Sequence, residues 1–480
     1  MTHLRNAMSF AAVIVFANGC TVPSAGEQPS EPQPPRAPDA PTQTAPTGQV
    51  IAGQRVSIEC TPQCANRQCG DDGCGGSCGT CAPETECNPL HQCAAPTMIR
   101  CAGPSGLQAG APWPMAGHDP ARTFRSGSVG PATPSLAWSI DLQTDGSDAG
   151  PVVALDGTVY VGGAQSGAPA LNAIAPDSTV KWSVQTLAGS PTAATIGADG
   201  TVYFGVTGAK QTAASLYAVS PAGQVKWTLP ATAAASAASD EAMTTSLSMA
   251  CNGTLYFGNY ITNEPSMNGV TAVNTAGQML WNALVDSAMP PIVSPNGAIY
   301  VDAIVALRPD GTTWWSDLTT GRNMPECIGA DGSIYNIYGA RSPTGQWLWT
   351  LPTSLGFNTG GMAIAGDGAV YLGSAPDLIA LNHDGTTRWQ LTTSWSGDAS
   401  THFWKMSDLA VDGKGTIYFA IQDIHGLHSS DPPVSNLYAV DASGTLQWTF
   451  ALPSDCLPRT IAIGSDRLYL NCNSIIAIDG

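Results

Sequence analysis

Between residue 136 and residue 480 the apolar positions fall in runs of four to six with period-two alternation, and nothing in that stretch keeps helical spacing. The runs also repeat. One copy reads Thr192-Ala193-Ala194-Thr195-Ile196, then Asp199-Gly200-Thr201-Val202-Tyr203, then Leu216-Tyr217-Ala218-Val219, then Gly223 with Trp227 four residues later. The second run opens on Asp-Gly, a hairpin signal read here as a type I′ turn, so the first two runs pair as antiparallel strands. The turn motif recurs at Gly157-Thr158-Val159-Tyr160, Gly200 to Tyr203, Gly253-Thr254-Leu255-Tyr256, Gly297-Ala298-Ile299-Tyr300, Gly332-Ser333-Ile334-Tyr335, Gly368-Ala369-Val370-Tyr371 and Gly415-Thr416-Ile417-Tyr418. A degenerate copy stands at Asp466-Arg467-Leu468-Tyr469. Each unit predicts four short strands, a to d.

A unit of this kind cannot bury its own faces, so copies must stack until a ring closes. The fourth strands carry Trp138, Trp182, Trp227, Trp281, Trp315, Trp349, Trp389 and Trp448. The last copy, ending Ile475-Ile476-Ala477-Ile478-Asp479-Gly480, has no tryptophan strand, and the first, Leu136-Ala137-Trp138-Ser139-Ile140, has no copy before it. One deficit fills the other and leaves no open edge. The expected fold is all-β: an eight-bladed propeller of four-stranded antiparallel blades closed by its N-terminal strand, with seven blades as the competing count. The aspartates of the turns are read as turn residues rather than metal ligands.

Composition agrees with this reading. The 480 residues carry a net charge of −18 with 11% charged side chains and abundant Gly and Pro. Such a surface repels nucleic acid, which excludes that partner.

The N-terminus supplies an address. Arg5 precedes an apolar stretch, residues 7–17, that is too short for a permanent membrane span. The following Phe16-Ala17-Asn18-Gly19-Cys20 resembles a bacterial lipobox, although Ala17 and Asn18 depart from the usual residues. The resemblance implies that residues 1–19 are a signal peptide and that Cys20 is lipidated, with Thr21 directing the protein to the outer membrane. Simple secretion with Cys20 incidental is the alternative. Residues 20–57 are rich in Pro, Ala, Thr and Glu and form a linker that, at about 3 Å per residue, reaches about 90 Å.

Residues 58–101 hold a cysteine module: Cys60, Cys64, Cys69, Cys74, Cys78, Cys81, Cys87 and Cys93. Almost no apolar residues lie between them, so cross-links must carry stability there. Exported thiols oxidise, which favours disulfides. Zinc is the rival on the spacing of Cys78 and Cys81, but no second Cys-x2-Cys follows. The module looks like small knottin- or hevein-like modules of exported bacterial proteins. Cys101 needs a partner elsewhere or stays free. Cys456 and Cys472 flank the hairpin of the last copy and are expected to bond; Cys251 and Cys327 sit in first strands of non-adjacent blades, too far apart to pair.

Residues 102–135 read as an irregular lead-in. Its Trp113-Pro114-Met115-Ala116-Gly117-His118-Asp119-Pro120 resembles the segment before the first blade of quinoprotein-type propellers; His118 and Asp119 have catalytic residue types, but the favoured reading is a docking segment that covers one end of the ring. Ala439-Val440-Asp441-Ala442-Ser443-Gly444-Thr445-Leu446-Gln447-Trp448 resembles the tryptophan-docking repeat of propellers similar to pyrroloquinoline quinone (PQQ) dehydrogenases, as do the copies with Asn274 and Asn382. Ala175, Ser220, Arg308 or Ser342 stands at that position elsewhere, which implies looser docking there. The resemblance implies that the tryptophan of one blade packs on its neighbour, and an Ala replacement is expected to cost about 3–5 kcal/mol as for a buried Trp.

The dehydrogenases of that family stack PQQ on a ring of two adjacent cysteines and coordinate calcium. This chain has no Cys-Cys pair, no Cys-x2-Cys-His haem site and no Gly-x-Ser-x-Gly or His-Glu-x2-His motif. No catalytic residue, cofactor or resident metal is therefore assigned. The function expected is a non-catalytic, lipid-anchored surface or outer-membrane scaffold whose partner is an envelope protein or a glycan. By resemblance its analogue is the lipoprotein propeller of the outer-membrane β-barrel assembly machinery. A PQQ-dependent dehydrogenase-like enzyme is the alternative. The variable loops, 230–245, 259–267, 392–406 and 421–436, share one face around the third and seventh blades, which is the expected binding surface. Trp395, His402, Phe403 and Trp404 are the candidate binding group there. Asp423, His425, His428 and Asp431 are a weak metal candidate.

Overall fold

The computed structural model describes residues 106–142, 150–165, 167–186, 189–207, 215–230, 242–261, 269–285, 290–302, 305–317, 327–351, 359–393, 402–425, 434–453, 456, 458–472 and 474–480, with residues 64, 67, 68, 77–80, 86, 87, 93 and 94. The expected signal peptide, Cys20, the linker, and Cys60, Cys69, Cys74, Cys81 and Cys101 lie outside the described residues. In the cysteine module Cys64 bonds to Cys78, and Glu86–Cys87 pairs with Cys93–Ala94 in register.

Eight antiparallel sheets, each ordered a-b-c-d, form the eight blades. Blade 1 runs Val152–Val153, Val159–Gln165, Ala168–Ile174 and Val180–Gln185. Blade 8 takes its fourth strand, Ser135–Ile140, from the N-terminal side of the propeller, where it pairs with Ile475–Asp479. The ring therefore closes as expected. Alternation of exposure marks the outer strands, such as Met279–Ala283, whereas the b and c strands are mostly buried and some, such as Val202–Val206 and Gly269–Val273, are buried throughout. Neighbouring blades cover both faces of the inner strands, so only the rim keeps a wet side.

One row repeats in every blade. The strand-b tyrosine, the strand-c alanine and the strand-d tryptophan stand side by side, as in Tyr203, Ala218 and Trp227. The alanine is small enough for the two rings to meet over it, with centroids from 5.5 to 6.1 Å apart (Tyr160 and Trp182, Tyr335 and Trp349). Each indole Nε1–H then donates to a backbone carbonyl across the seam, seven of them to the c–d turn of the next blade and Trp448 to Pro131 of the lead-in. The acceptors run Pro176 for Trp138, Pro221 for Trp182, Thr275 for Trp227, Pro309 for Trp281, Pro343 for Trp315, His383 for Trp349, Ala442 for Trp389 and Pro131 for Trp448. These bonds measure 2.8 to 3.2 Å around the whole ring.

Docking at Ala175, Ser220, Arg308 and Ser342 is thus no looser than at Asp441, Asn274 and Asn382. The acceptor is the main-chain carbonyl of the following residue, so the side chain at the preceding position does not set it.

The a–b turns also differ from expectation. Gly157 N bonds to Ala154 O and Ala154 N to Thr158 O, and the positive φ of 78° falls on Gly157 alone, not on Asp156. This is a three-residue loop with a type I turn and a glycine bulge, not the two-residue type I′ turn. The acids act locally: Asp156, Asp199, Asp331 and Asp367 each accept the amide N–H two residues on.

Cys456 bonds to Cys472 across the last hairpin, as expected. Cys251 lies in the a–b turn of blade 3 rather than in its first strand and is disulfide-bonded. Cys327 is a buried thiol whose Sγ faces the Met362 carbonyl.

Candidate functional site

The two ends of the ring are built differently. On the end carrying the a–b turns, residues 106–131 cross all eight blades. Backbone hydrogen bonds join Trp113 to Val153 of blade 1, Gln108 and Pro114 to Ile196 of blade 2, Pro120 to Val293 of blade 4 and Ala121 to Ile328 of blade 5. They continue from Thr123 to Ile364 of blade 6, from Phe124 and Ser126 to Val411 of blade 7, and from Val129 to Asp466 of blade 8. Gly106 packs on blade 3, where a Cβ would lie 2.5 Å from the Ala250 carbonyl. Leu107, Trp113, Met115 and Phe124 are buried beneath it. The lead-in covers the ring's end, as expected. His118 and Asp119 serve it locally: Asp119 accepts the Thr123 N–H at 3.3 Å and lies 3.3 Å from His118 Nδ1, while the His118 ring stands edge-on to Trp113.

Between this strap and blades 3 to 6 is a cavity of about 760 Å³. Its walls are largely apolar, with Pro120, Ala121, Ala250, Val293, Ile328 and Ile364, and Arg125, Asp119, Asp331, Asp367 and His383 supply its charged and ionisable groups. Asp367 receives Arg388 at 2.6 Å, and this bond holds its carboxyl below the ordinary range. His383 links Tyr335 and Asp331, with Nδ1 2.6 Å from the Tyr335 hydroxyl and Nε2 3.3 Å from Asp331. Burial, with the Asp331 charge adding to it, pushes Tyr335 up to about 12, so it stays a neutral phenol. This cavity escaped sequence reading because its wall joins residues from the lead-in and four separate repeats.

At the opposite end, blades 3 and 7 grow outward. In blade 3 an added strand, Ala242–Thr244, pairs with the lengthened Leu255–Ile261. In blade 7 His402–Met406 pairs with the nine-residue strand Ile417–His425, which continues into Val434–Val440. Segments 392–406 and 421–436, read from the sequence as loops, therefore contain paired strands. The pairing also merges two clusters that looked separate: His402 stands opposite His425 and Trp404 opposite Asp423. Trp404 is half-buried and packs against the core, and Asp423 is buried. Trp395, His428 and Asp431, and the side chains of His402, Phe403 and His425, lie outside the described residues. Among the described residues no group of three metal-ligating side chains occurs.

The seam between blades 8 and 1 carries a residue that the degenerate turn concealed. Arg467 binds both Asp479 carboxylate oxygens and donates to the Pro176 carbonyl of blade 1, the same carbonyl that accepts Trp138. Its signal was a cation where other copies carry a small or apolar residue.

No protein-family model and no curated protein matches this chain. Solved structures similar to it include a chain of the mitotic checkpoint complex, at 12% identity over 73% of this chain and 92% of that one, TM-score 0.39. The propeller of Dos1 is similar at 8% identity, covering 68% and 76%, TM-score 0.37. A protein of unknown function from Bacteroides caccae is similar at 11% identity, covering 59% and 90%, TM-score 0.34.

Proposed function

We propose that this protein is an exported, lipid-anchored binding propeller of the PQQ-like repeat type that holds an envelope protein or a glycan without performing chemistry on it. One observation carries the reading. The eight blades share a single plan, and among the described residues the fifth strands Ala242–Thr244 and His402–Met406 are added only in blades 3 and 7, which stand opposite each other on the end away from the strap. Rigid β-arms flanking an axis present residues to a large partner without requiring the loops to order first. Trp404 and Asp423 lie side by side at the root of one arm. Lipid at Cys20 and the spacer after it would hold this surface away from a membrane.

The test is in-cell photocrosslinking from positions in residues 394–401 and 426–433, read by mass spectrometry, beside a variant in which both segments are replaced by short Gly-Ser turns. The reading requires defined crosslinked partners that disappear in the shortened variant. Partners retained after shortening would refute it. Calorimetric titration of the protein with PQQ and Ca²⁺ is expected to give no saturable heat, and tight binding would move the protein to the enzyme class.

A further inference from the structure

The cavity under the strap has chemistry of its own, independent of the arms on the other end. Its carboxylates already have partners. Asp119 takes Thr123, Asp331 takes Ser333 and His383, and Asp367 takes Arg388 and the Ala369 N–H. Its cation does not: among the described residues no hydrogen bond or ion pair engages the half-buried Arg125 guanidinium. Arg125 is set against Gly366, where an added Cβ would lie 3.0 Å from Nη1, so a bare backbone makes room for the guanidinium. A cation drawn partly out of water beside apolar walls favours an anion that can meet its planar fork, and a carboxylate does so through two parallel hydrogen bonds. The rest of the wall offers Pro120, Ala121, Val293, Ile328 and Ile364 to an apolar body, and about 760 Å³ is the volume of a small-molecule pocket.

We propose that this cavity binds a small organic carboxylate with an apolar body, its carboxylate on Arg125 and its body against Ala121, Val293, Ile328 and Ile364. The protein's net charge of −18 does not forbid this, because distant charges are screened beyond about 10 Å whereas a contact pair is not. The Tyr335–His383 pair at the outer edge of the same wall supplies hydroxyl and imidazole groups to a ligand long enough to reach them.

The test is isothermal titration of the full-length protein with two probe acids, hydrocinnamate and octanoate, and with their amides. At least one acid is expected to bind saturably and at least about tenfold more tightly than its amide, the margin of one charge-assisted contact. Arg125→Gln is expected to remove that margin, Arg125→Lys to keep part of it, and Ala121→Leu to abolish binding by filling the wall. Arg308→Gln, on an exposed c–d turn, is expected to bind like the parent. If Arg125→Gln lowers the melting temperature, the comparison of acid with amide on the parent protein still decides. No heat from either acid, equal binding of acid and amide, or acid binding unchanged in a folded Arg125→Gln protein would overturn the proposal.

Discussion

Trp138 and Tyr469, from opposite ends of the propeller sequence, meet in one blade with ring centroids 5.9 Å apart, and the Trp138 indole donates across the seam to Pro176 at 3.0 Å. The closing blade thus uses the same Tyr–Ala–Trp row as the other seven, with Ala477 between the rings. All eight tryptophans are half-buried rim residues, so a fully buried Trp is too costly a reference for them. Trp138→Ala is expected to cost about 2–4 kcal/mol, the sum of lost packing and one hydrogen bond. Trp227→Ala removes an equivalent contact inside the ring. Because Trp138 holds the strand that shuts the ring, its loss should lower the melting temperature more than that of Trp227 and speed amide exchange in 135–140. Equal effects from the two variants would show that closure does not depend on this contact.

The docking turns allow a gain as well as losses. Ser178 adopts φ 74° at the position where Gly277 has φ 80° in its own blade. An L-residue in that region is disfavoured by about 1–2 kcal/mol, and Gly returns part of that to the unfolded chain as entropy. Ser178→Gly is expected to raise stability by up to about 1 kcal/mol. Gly277→Ala does the reverse twice over, through its φ and through a Cβ placed 2.8 Å from Trp227. Chemical denaturation of both variants checks the signs.

The a–b turn of blade 7 fastens the strap. Asp412 accepts from Gly130 N at 3.2 Å and from the Tyr418 hydroxyl at 3.2 Å, while its other oxygen caps Lys414 and Thr416. Asp412→Ala leaves these donors without an acceptor and is expected to cost about 2–4 kcal/mol. Asp412→Asn keeps one oxygen acceptor and should cost less. Limited proteolysis near residues 127–131 is expected to accelerate in the Ala variant; unchanged cleavage would place the fastening elsewhere.

Much of the ring was legible because its determinants are local and repeated. Asp-Gly turns, short apolar runs and a tryptophan at fixed distance from a glycine gave the blade and its count, and two incomplete copies gave the closure; the alternation expected of all four strands is kept only in the outer one. The role of Ala218 and its counterparts was not legible, since a small residue in an apolar run looks like any other until Tyr203 and Trp227 are seen to meet over it. Docking strength was misjudged for a related reason: the sequence displays side chains, and the acceptor is a carbonyl. The arms of blades 3 and 7 read as loops because His402–Met406 has no alternation to mark it and finds its register only against Ile417–His425. Arg125 gave no signal at all. Its setting depends on Gly366, which lies far along the chain and in another blade.

Stability should fall at both ends of the pH scale, for opposite reasons. Burial first, and then the nearby turn aspartates for two of them, raises Tyr160, Tyr256 and Tyr335 to about 12 from an ordinary 10.0. The folded protein keeps these protons where the unfolded chain has released them, so their contribution is complete below about pH 10 and is lost as pH rises toward 12. The turn carboxylates behave in the other sense. Asp367 is lowered first by its bond to Arg388, Asp310 by Thr312 and Asp441 by Ser443, from an ordinary 3.8. Their contribution is present above that value and is lost as pH falls through the folded values. Melting temperature is therefore expected to plateau between about pH 5 and 9.5 and to decline on either side, with tyrosinate absorbance appearing together with unfolding at the alkaline edge. Ionisation near pH 10 of more than the four tyrosines outside the rows, while the sheets stay intact, would mean that the Tyr–Ala–Trp rows are open to water.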